Sequence, residues 1–308
     1  MTIPVLKWAG GKRQLLDDLY DRFPAEYNSY HEPFFGGGAL FFDLEPSNGT
    51  INDTNTRLIN FYEHVRDNPR ELIRKLQQFD GPETPANPDQ PFNETNRKGR
   101  EIKNYYYQQR ERFNNRVHGD EFDSLEEAAL LLYLNRTCFN GLYRENASGD
   151  FNVPIGGYVN PDWVRSDEIK QASKVLSNTE ILNKNWTYIL EKANHGDLVY
   201  LDPPYKPMSA TEYFNDYSAE GFGKEDQEEL CEKAYKLTEK GVHVIVSNSG
   251  VTYGMYEDAG FDVGVVGATR SINSDGENRD EVDEIIATNI PEDKRGDFGQ
   301  QSLVDFNA

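Results

Sequence analysis

The chain has 308 residues, 37% hydrophobic and 12% aromatic, enough for a large core and against wholesale disorder. A net charge of −21 and a pI near 4.6 exclude a surface uniformly attractive to polyanions. Two cysteines and five scattered histidines exclude a disulfide framework and structural zinc, and no basic-then-apolar leader or membrane-length apolar run is present, so a cytoplasmic protein is expected.

Leu15, Leu16, Leu19, Tyr20 and Phe23 fall at helical spacing and predict a helix over 12–23. A strand over 29–33 runs into a glycine cluster, and helix resumes over 38–45. A strand over 50–52 ends on Asp53, and helical patterns follow over 55–67 and 69–79. The stretch "DGPETPANPDQPFNETN" (80–96) holds four prolines and few apolar residues, and reads as a boundary loop. Helices over 97–117 and 124–135 follow, then a turn-rich hairpin over 140–158. Strands at 179–182 and 197–201, a helix over 224–240 and a strand over 242–247 come next. Two last strands, 261–268 and 281–289, flank a polar tip. Strands and helices alternating at both ends predict an α/β doubly wound, mostly parallel sheet. A mostly helical insert interrupts it, giving a core in two parts, 1–79 and 166–308, around an inserted domain at 80–165.

One segment departs from the acidity. Residues 97–116, "RKGREIKNYYYQQRERFNNR", hold seven Lys or Arg against Glu101 and Glu111, so they carry +5 and the remainder −26. A salt-adapted surface around an anion-binding, tyrosine-bearing stripe is the expectation. The plainer alternative is a solvated helix with charge on one face.

Ligands of doubly wound sheets bind beyond the carboxyl ends of the strands, and the acids and glycines stand there. In "EPFFGGGALFF" (32–42), Gly36, Gly37 and Gly38 permit positive φ and close approach of a ligand to the backbone. Asp53 follows the next strand, near the spacing of a ribose-binding acid. "KWAGGK" (7–12) is no phosphate loop, because Leu6 and Arg13 stand where Gly and Ser or Thr are needed. Trp8 still offers a stacking face. "LVYLDPPY" (198–205) ends a buried strand on a carboxylate, two prolines and a tyrosine. An exocyclic adenine amine is a poor nucleophile, its lone pair delocalised into the ring. Asp202 and the carbonyl of Pro203 can each accept one of its N–H bonds and aim the lone pair, while Tyr205 stacks on the base. The neighbouring nucleoside site suits a sulfonium methyl donor.

"KWAGGK", "EPFFGGG", "NDTNTRLINFY" (52–62), "YLNRTCFNGLYRENASGDFNVPIGGY" (133–158), "DLVYLDPPY" (197–205) and "RSINSDGENRDEVDEII" (270–286) occur in the order of the DNA adenine methylase (Dam) family, and nearly the whole chain resembles it. The resemblance implies a Rossmann-like, seven-stranded methyltransferase that moves a methyl group from S-adenosylmethionine to adenine N6 in double-stranded DNA. It implies that Trp8, Lys12, Phe35, Gly36, Gly38, Asp53 and Asp202 face the donor, and that Asp202, Pro203, Pro204 and Tyr205 grip the flipped adenine. Lys7, Phe139, Asn140, Leu142, Arg144 and Pro154 match DNA-contacting positions, and GATC is the expected target. No metal is expected; the protein is expected to be a monomer, with a cognate restriction endonuclease acting separately as an allowed partner. The acidic surface and the proline-rich 80–96 segment depart from the family pattern.

Three other readings bear comparison. Cytosine-N4 methylation shares the amine chemistry, but its acidic position is more often Ser. A DNA-specificity protein with a degenerate site would not need "DPPY", the glycine turn and Asp53 together. A small-molecule methyltransferase leaves the basic segment without a purpose.

Overall fold

The computed structural model describes residues 2–81, 105–115, 123–204, 222–268 and 282–296. Its strands are β1 (Tyr30–Glu32), β2 (Gly49–Asn52), β3 (Thr179–Leu182), β4 (Leu198–Leu201), β5 (His243–Ser249), β6 (Asp262–Ala268) and β7 (Val282–Thr288). They form one seven-stranded sheet in the order β3-β2-β1-β4-β5-β7-β6. β1 runs parallel to β2 and β4, and β4 parallel to β5, whereas β7 lies antiparallel between β5 and β6. The expected mostly parallel sheet is therefore present. β4 is buried at all of its positions, as a strand covered on both faces must be, and its unbroken apolar run reflects that.

The described helices are α1 (Leu16–Tyr20), α2 (Ala39–Leu44), α3 (Thr56–Asp67), α4 (Pro69–Leu76), α5 (Tyr105–Asn114), α6 (Ser124–Thr137), α7 (Ser166–Leu176), α8 (Ile189–Lys192), α9 (Lys224–Glu239) and α10 (Tyr253–Asp258). The chain divides into two compact units. One comprises residues 1–11, 36–45 and 55–181; the other comprises 12–35, 46–54 and 182–308. The first unit thus takes in α3, α4 and α7 along with the helices inside 80–165.

The first unit is built around α6. Its sequence, SLEEAALLLYLNRT, is apolar on almost every side, which suits a helix enclosed by others. α3, α4 and α5 pack against it. Both long helices are capped by side chains: Asn55 accepts from the N–H groups of Arg57 and Leu58 at 3.1 Å each, and Asp123 accepts from Leu125 N–H at 2.9 Å. In the second unit, Leu230, Ala234 and Leu237 of α9 meet Val199, Leu201, Val244 and Val246 of the sheet. Asp226 accepts from the N–H of Gly223 at 2.8 Å and fixes the start of α9.

Three elements differ from the sequence expectation. The helix expected over 12–23 is a 3-10 turn, Arg13–Leu15, followed by the short α1. The hairpin over 140–158 has no continuous ladder, only the bridges Cys138↔Ile155 and Glu145↔Phe151. A 3-10 turn at Phe139–Gly141, with Asn140 at φ 54° and Gly141 at φ 68°, prevents regular pairing at its base. The third is the basic segment, whose described part forms the expected helix, α5, but not an open stripe. Tyr106, Tyr107 and Phe113 are buried, Arg110 donates to the Val153 carbonyl at 3.2 Å, and Arg112 pairs with Glu126. This part of the segment is a core helix, because its aromatic residues have an apolar interior to fill. Arg97, Lys98, Arg100, Lys103 and Arg116 lie outside the described residues. Cys138 and Cys231 are buried free thiols. Among the described residues no helix is long and apolar enough to cross a membrane.

Close strand approach makes Gly49 a sensitive position. A Cβ there would lie 1.9 Å from the Tyr30 carbonyl oxygen, so β1 and β2 could not keep their register. Gly49→Ala is expected to destabilise the protein by about 1–3 kcal/mol, the usual range for overpacking. Urea titration should give a lower midpoint; an unchanged midpoint would contradict the account.

Candidate active site and DNA-reading edge

In the second unit the sheet's order reverses between β1 and β4, where a doubly wound fold opens a crevice at its strand ends. β4 ends on Leu201, so the next residue, Asp202, emerges there. Its side chain keeps 20% of its surface exposed, so a ligand can reach a carboxylate that is otherwise enclosed. Lys12, just before the 3-10 turn at Arg13–Leu15 and only 6% exposed, brings its ammonium 2.9 Å from Asp202 Oδ1. Burial raises the Asp202 pKa, the Lys12 charge lowers it, and Glu284 on β7 raises it again. Pro203 is buried and Pro204 exposed. Tyr205 lies outside the described residues.

Two further residues shape this corner, and the sequence reading missed both. Glu32, the last residue of β1, is 3% exposed and accepts a hydrogen bond from the Tyr30 hydroxyl at 2.7 Å. Burial holds it well above the usual carboxylate range, and the nearby Asp202 adds to the shift. An acid within a strand just before a proline was the available signal. The other is Asn52. It donates to the carbonyls of Pro33 and Lys184 at 3.0 Å each and accepts from Lys184 N–H at 2.8 Å. Phe35, 2% exposed, donates its N–H to the Asn52 carbonyl at 2.9 Å. Asn52 thereby ties the exits of β1 and β2 to the segment after β3. Asp53 follows it, its carbonyl accepting from Asn183 Nδ2 at 2.7 Å.

In the first unit the glycine turn and Trp8 meet. Gly36 and Gly38 take φ of 50° and 66°, and Gly38 caps α2. A Cβ on Gly36 or Gly37 would come within 2.9 or 2.8 Å of Trp8, so the indole lies directly on the turn's backbone. The Tyr62 hydroxyl donates to the Gly36 carbonyl at 3.2 Å. Trp8 also stacks with Tyr143, ring centroids 5.3 Å apart and planes 24° apart.

The residues expected at DNA gather on one edge of this unit. Asn135 on α6 accepts from Lys7 N–H at 2.8 Å and donates to the carbonyls of Lys7 and Gly141 at 2.7 and 3.0 Å. Its amide thus binds the Lys7 segment to the Phe139–Gly141 turn. The Lys7 ammonium donates to the Tyr158 hydroxyl at 3.2 Å and lies 4.4 Å from that ring's centre. Phe139 is 44% exposed, large for a ring with no partner to gain from water, and its N–H donates to the Pro154 carbonyl at 2.8 Å. Leu142 is half-buried; Asn140, Pro154 and Arg144 are exposed. Arg144 Nε donates to Asn152 Oδ1 at 2.7 Å, which leaves the outer guanidinium edge for a partner. Among the described residues no group of three or more His, Cys, Asp or Glu could hold a metal ion.

Lys12 is the positive charge that offsets the burial of Asp202, so Lys12→Met should raise the Asp202 pKa further. A carboxyl-carbon NMR titration would read the midpoint. One that stays in place or moves down would rule out the pairing as the control.

The family described as D12 class N6 adenine-specific DNA methyltransferase matches residues 8–272. The chain is 39% identical over 291 residues to the Type II methyltransferase M1.LlaDCHI of Lactococcus lactis subsp. cremoris, covering 93% of this chain and 95% of that one. It is 35% identical over 299 residues to the Type II methyltransferase M.MjaIII of Methanocaldococcus jannaschii, covering 93% and 98%. It is also 35% identical over 288 residues to the DNA adenine methylase of Escherichia coli K12, covering 93% and 95%.

Proposed function

Because the chain belongs to the D12 class of N6 adenine-specific DNA methyltransferases, we propose that it methylates an adenine flipped out of a short duplex target, GATC, with Asp202 orienting the amine. The family implies S-adenosylmethionine as donor, which supplies an electrophilic methyl group on a sulfonium. The observation that carries the reading is the enclosed yet reachable Asp202 carboxylate at the end of β4, beside the reversal of strand order. Asp202 accepts one N–H of the adenine amine and the Pro203 carbonyl the other, so the lone pair points at the methyl carbon. As the amine nitrogen bonds to the methyl carbon, the methyl–sulfur bond would break and leave a neutral thioether; the nitrogen, transiently cationic, would then give up one proton to water. A carboxylate beside that nitrogen stabilises the charge as it grows. Pro204 fixes the course of the chain and Tyr205 stacks on the base.

For the donor we assign Asp53 and Lys12, with Phe35, on the second unit. Asp53 stands after β2, where an acid of this fold class accepts from ribose hydroxyls. On the first unit we assign Trp8 as a stacking face and Gly36 and Gly38 as the turn that a ligand approaches closely. We assign target recognition to the inserted segment 80–165, with Lys7 joining it. A base inside a duplex cannot be reached by such a site, so the adenine must leave the stack, at a few kcal/mol. Phe139, Asn140, Leu142 and Pro154 contact the DNA, and Arg144 reads guanine O6 and N7 with its planar fork. A role beside a restriction endonuclease of the same specificity is consistent with relatives named as Type II methyltransferases.

Asp202→Ala should lower single-turnover methylation by about 10²–10³-fold or more, the usual loss for one oriented electrostatic contact, with DNA affinity retained. A rate within about tenfold of wild type would overturn the assignment. Arg144→Ala should cost about 1–3 kcal/mol on the GATC duplex and relax discrimination at one base pair. Methylation of a panel of single-substitution duplexes reads this directly. Equal loss on every duplex, with a salt slope lowered by about one, would make Arg144 a phosphate contact instead.

A further inference from the structure

Tyr143 sits between Leu142 and Arg144, two residues of the DNA-reading edge, yet its ring turns inward onto Trp8. We propose that Tyr143 is a positioning residue through which engagement of the target by this edge sets the affinity for the methyl donor. The inference rests on the reading that Trp8 and the glycine turn hold the donor.

The indole of Trp8 has two supports. One is the Gly36–Gly37 backbone, on which it lies so closely that no side chain fits between. The other is the Tyr143 ring, stacked at 5.3 Å. The first support is held by the Tyr62 hydroxyl on the Gly36 carbonyl. The second belongs to a segment without a regular ladder, fastened at Glu145↔Phe151 and by Asn152 N–H on the Arg144 carbonyl at 3.1 Å. A shift in the Leu142–Arg144 backbone therefore reaches the indole through one ring contact.

The far edge of Tyr143 has a fixed reference. Its hydroxyl donates to Glu145, whose carboxylate lies 3.7 Å from Arg57 Nη1. Arg57 is 6% exposed; its Nε lies 3.3 Å from Glu127 on α6, and its guanidinium 4.1 Å from the centre of the Phe113 ring on α5. Phe151 packs against the Tyr143 ring as well, centroids 5.7 Å apart. The ring is thus held at its hydroxyl end by the helical frame, and its face is what meets Trp8. Contact of Leu142 and Arg144 with the correct base pairs settles the stack, and a settled indole favours the donor. Linkage makes the effect reciprocal: donor must then tighten the correct DNA by the same factor.

The test is calorimetry of S-adenosylhomocysteine binding to the full chain, alone, with a GATC duplex and with a duplex lacking that site. In wild type the GATC duplex should tighten binding relative to the other duplex by a factor within the usual range for coupled sites, about 5–150. Tyr143→Phe, which keeps the ring, should retain most of that ratio. Tyr143→Ala and Tyr143→Leu should bring it within about twofold of one, with the melting temperature recorded as a check on folding. A ratio preserved in Tyr143→Leu, or a wild-type ratio of one, overturns the proposal. The underlying reading has its own control, since Trp8→Ala must weaken S-adenosylhomocysteine in the absence of DNA. If it does not, the donor assignment fails, whatever Tyr143 does.

Discussion

A carboxylate at the end of a strand buried on both faces loses the solvent that favours its charge, and the corner at the end of β4 is arranged around that difficulty. Burial alone drives Asp202 toward its neutral form. Lys12 opposes this from 2.9 Å, while Glu284 pushes the other way. Glu32 nearby has no such cation in its balance and is held well above the ordinary carboxylate range. Burial raises both acids at these adjacent strand ends, and the lysine opposes that shift at Asp202.

The same economy of parts marks the edge that carries Lys7 and the Phe139–Gly141 turn. Asn135, a single amide on the most enclosed helix of its unit, orders both Lys7 and the Phe139–Gly141 turn. Asn140 occupies the left-handed region at φ 54°, a conformation that Asn tolerates better than most residues. The exposed residues therefore owe their positions to hydrogen bonds made by a buried residue. Asn52 serves the strand ends of the other unit in the same way.

The parts of this architecture that could be read from sequence are those written in short-range chemistry. β4 was legible because four apolar residues stop at an acid and two prolines. The glycine turn was legible because glycine enters the positive-φ region of Gly36 and Gly38 at least cost. Asn52 and Glu32 were not, since their importance lies in partners at Lys184 and Tyr30 that only the folded sheet identifies. The tyrosines of α5 were misleading. In sequence they interleave with arginines as stacking residues would, but Tyr106 and Tyr107 fill the interior and Arg110 follows them in. Charge pattern alone could not distinguish a helix that meets phosphate from one whose cations satisfy carbonyls.

The strand order carries a consequence for how the molecule comes into being. β1 has its parallel neighbour β4 far along the chain; the His31–Asp197 contact joins residues 166 positions apart. β5 waits in the same way for β7, which must emerge after β6 and insert between them. On the ribosome, the sheet's centre is therefore an open edge for most of synthesis, with apolar strands such as Leu198–Leu201 and His243–Ser249 among the later to arrive. Closure from non-local strands is slow, and open edges invite pairing with other chains. The helical unit, whose contacts among α3, α4 and α6 lie closer in sequence, can consolidate first. A nascent chain of this topology depends on speed of translation and on chaperone shielding more than its finished stability would suggest.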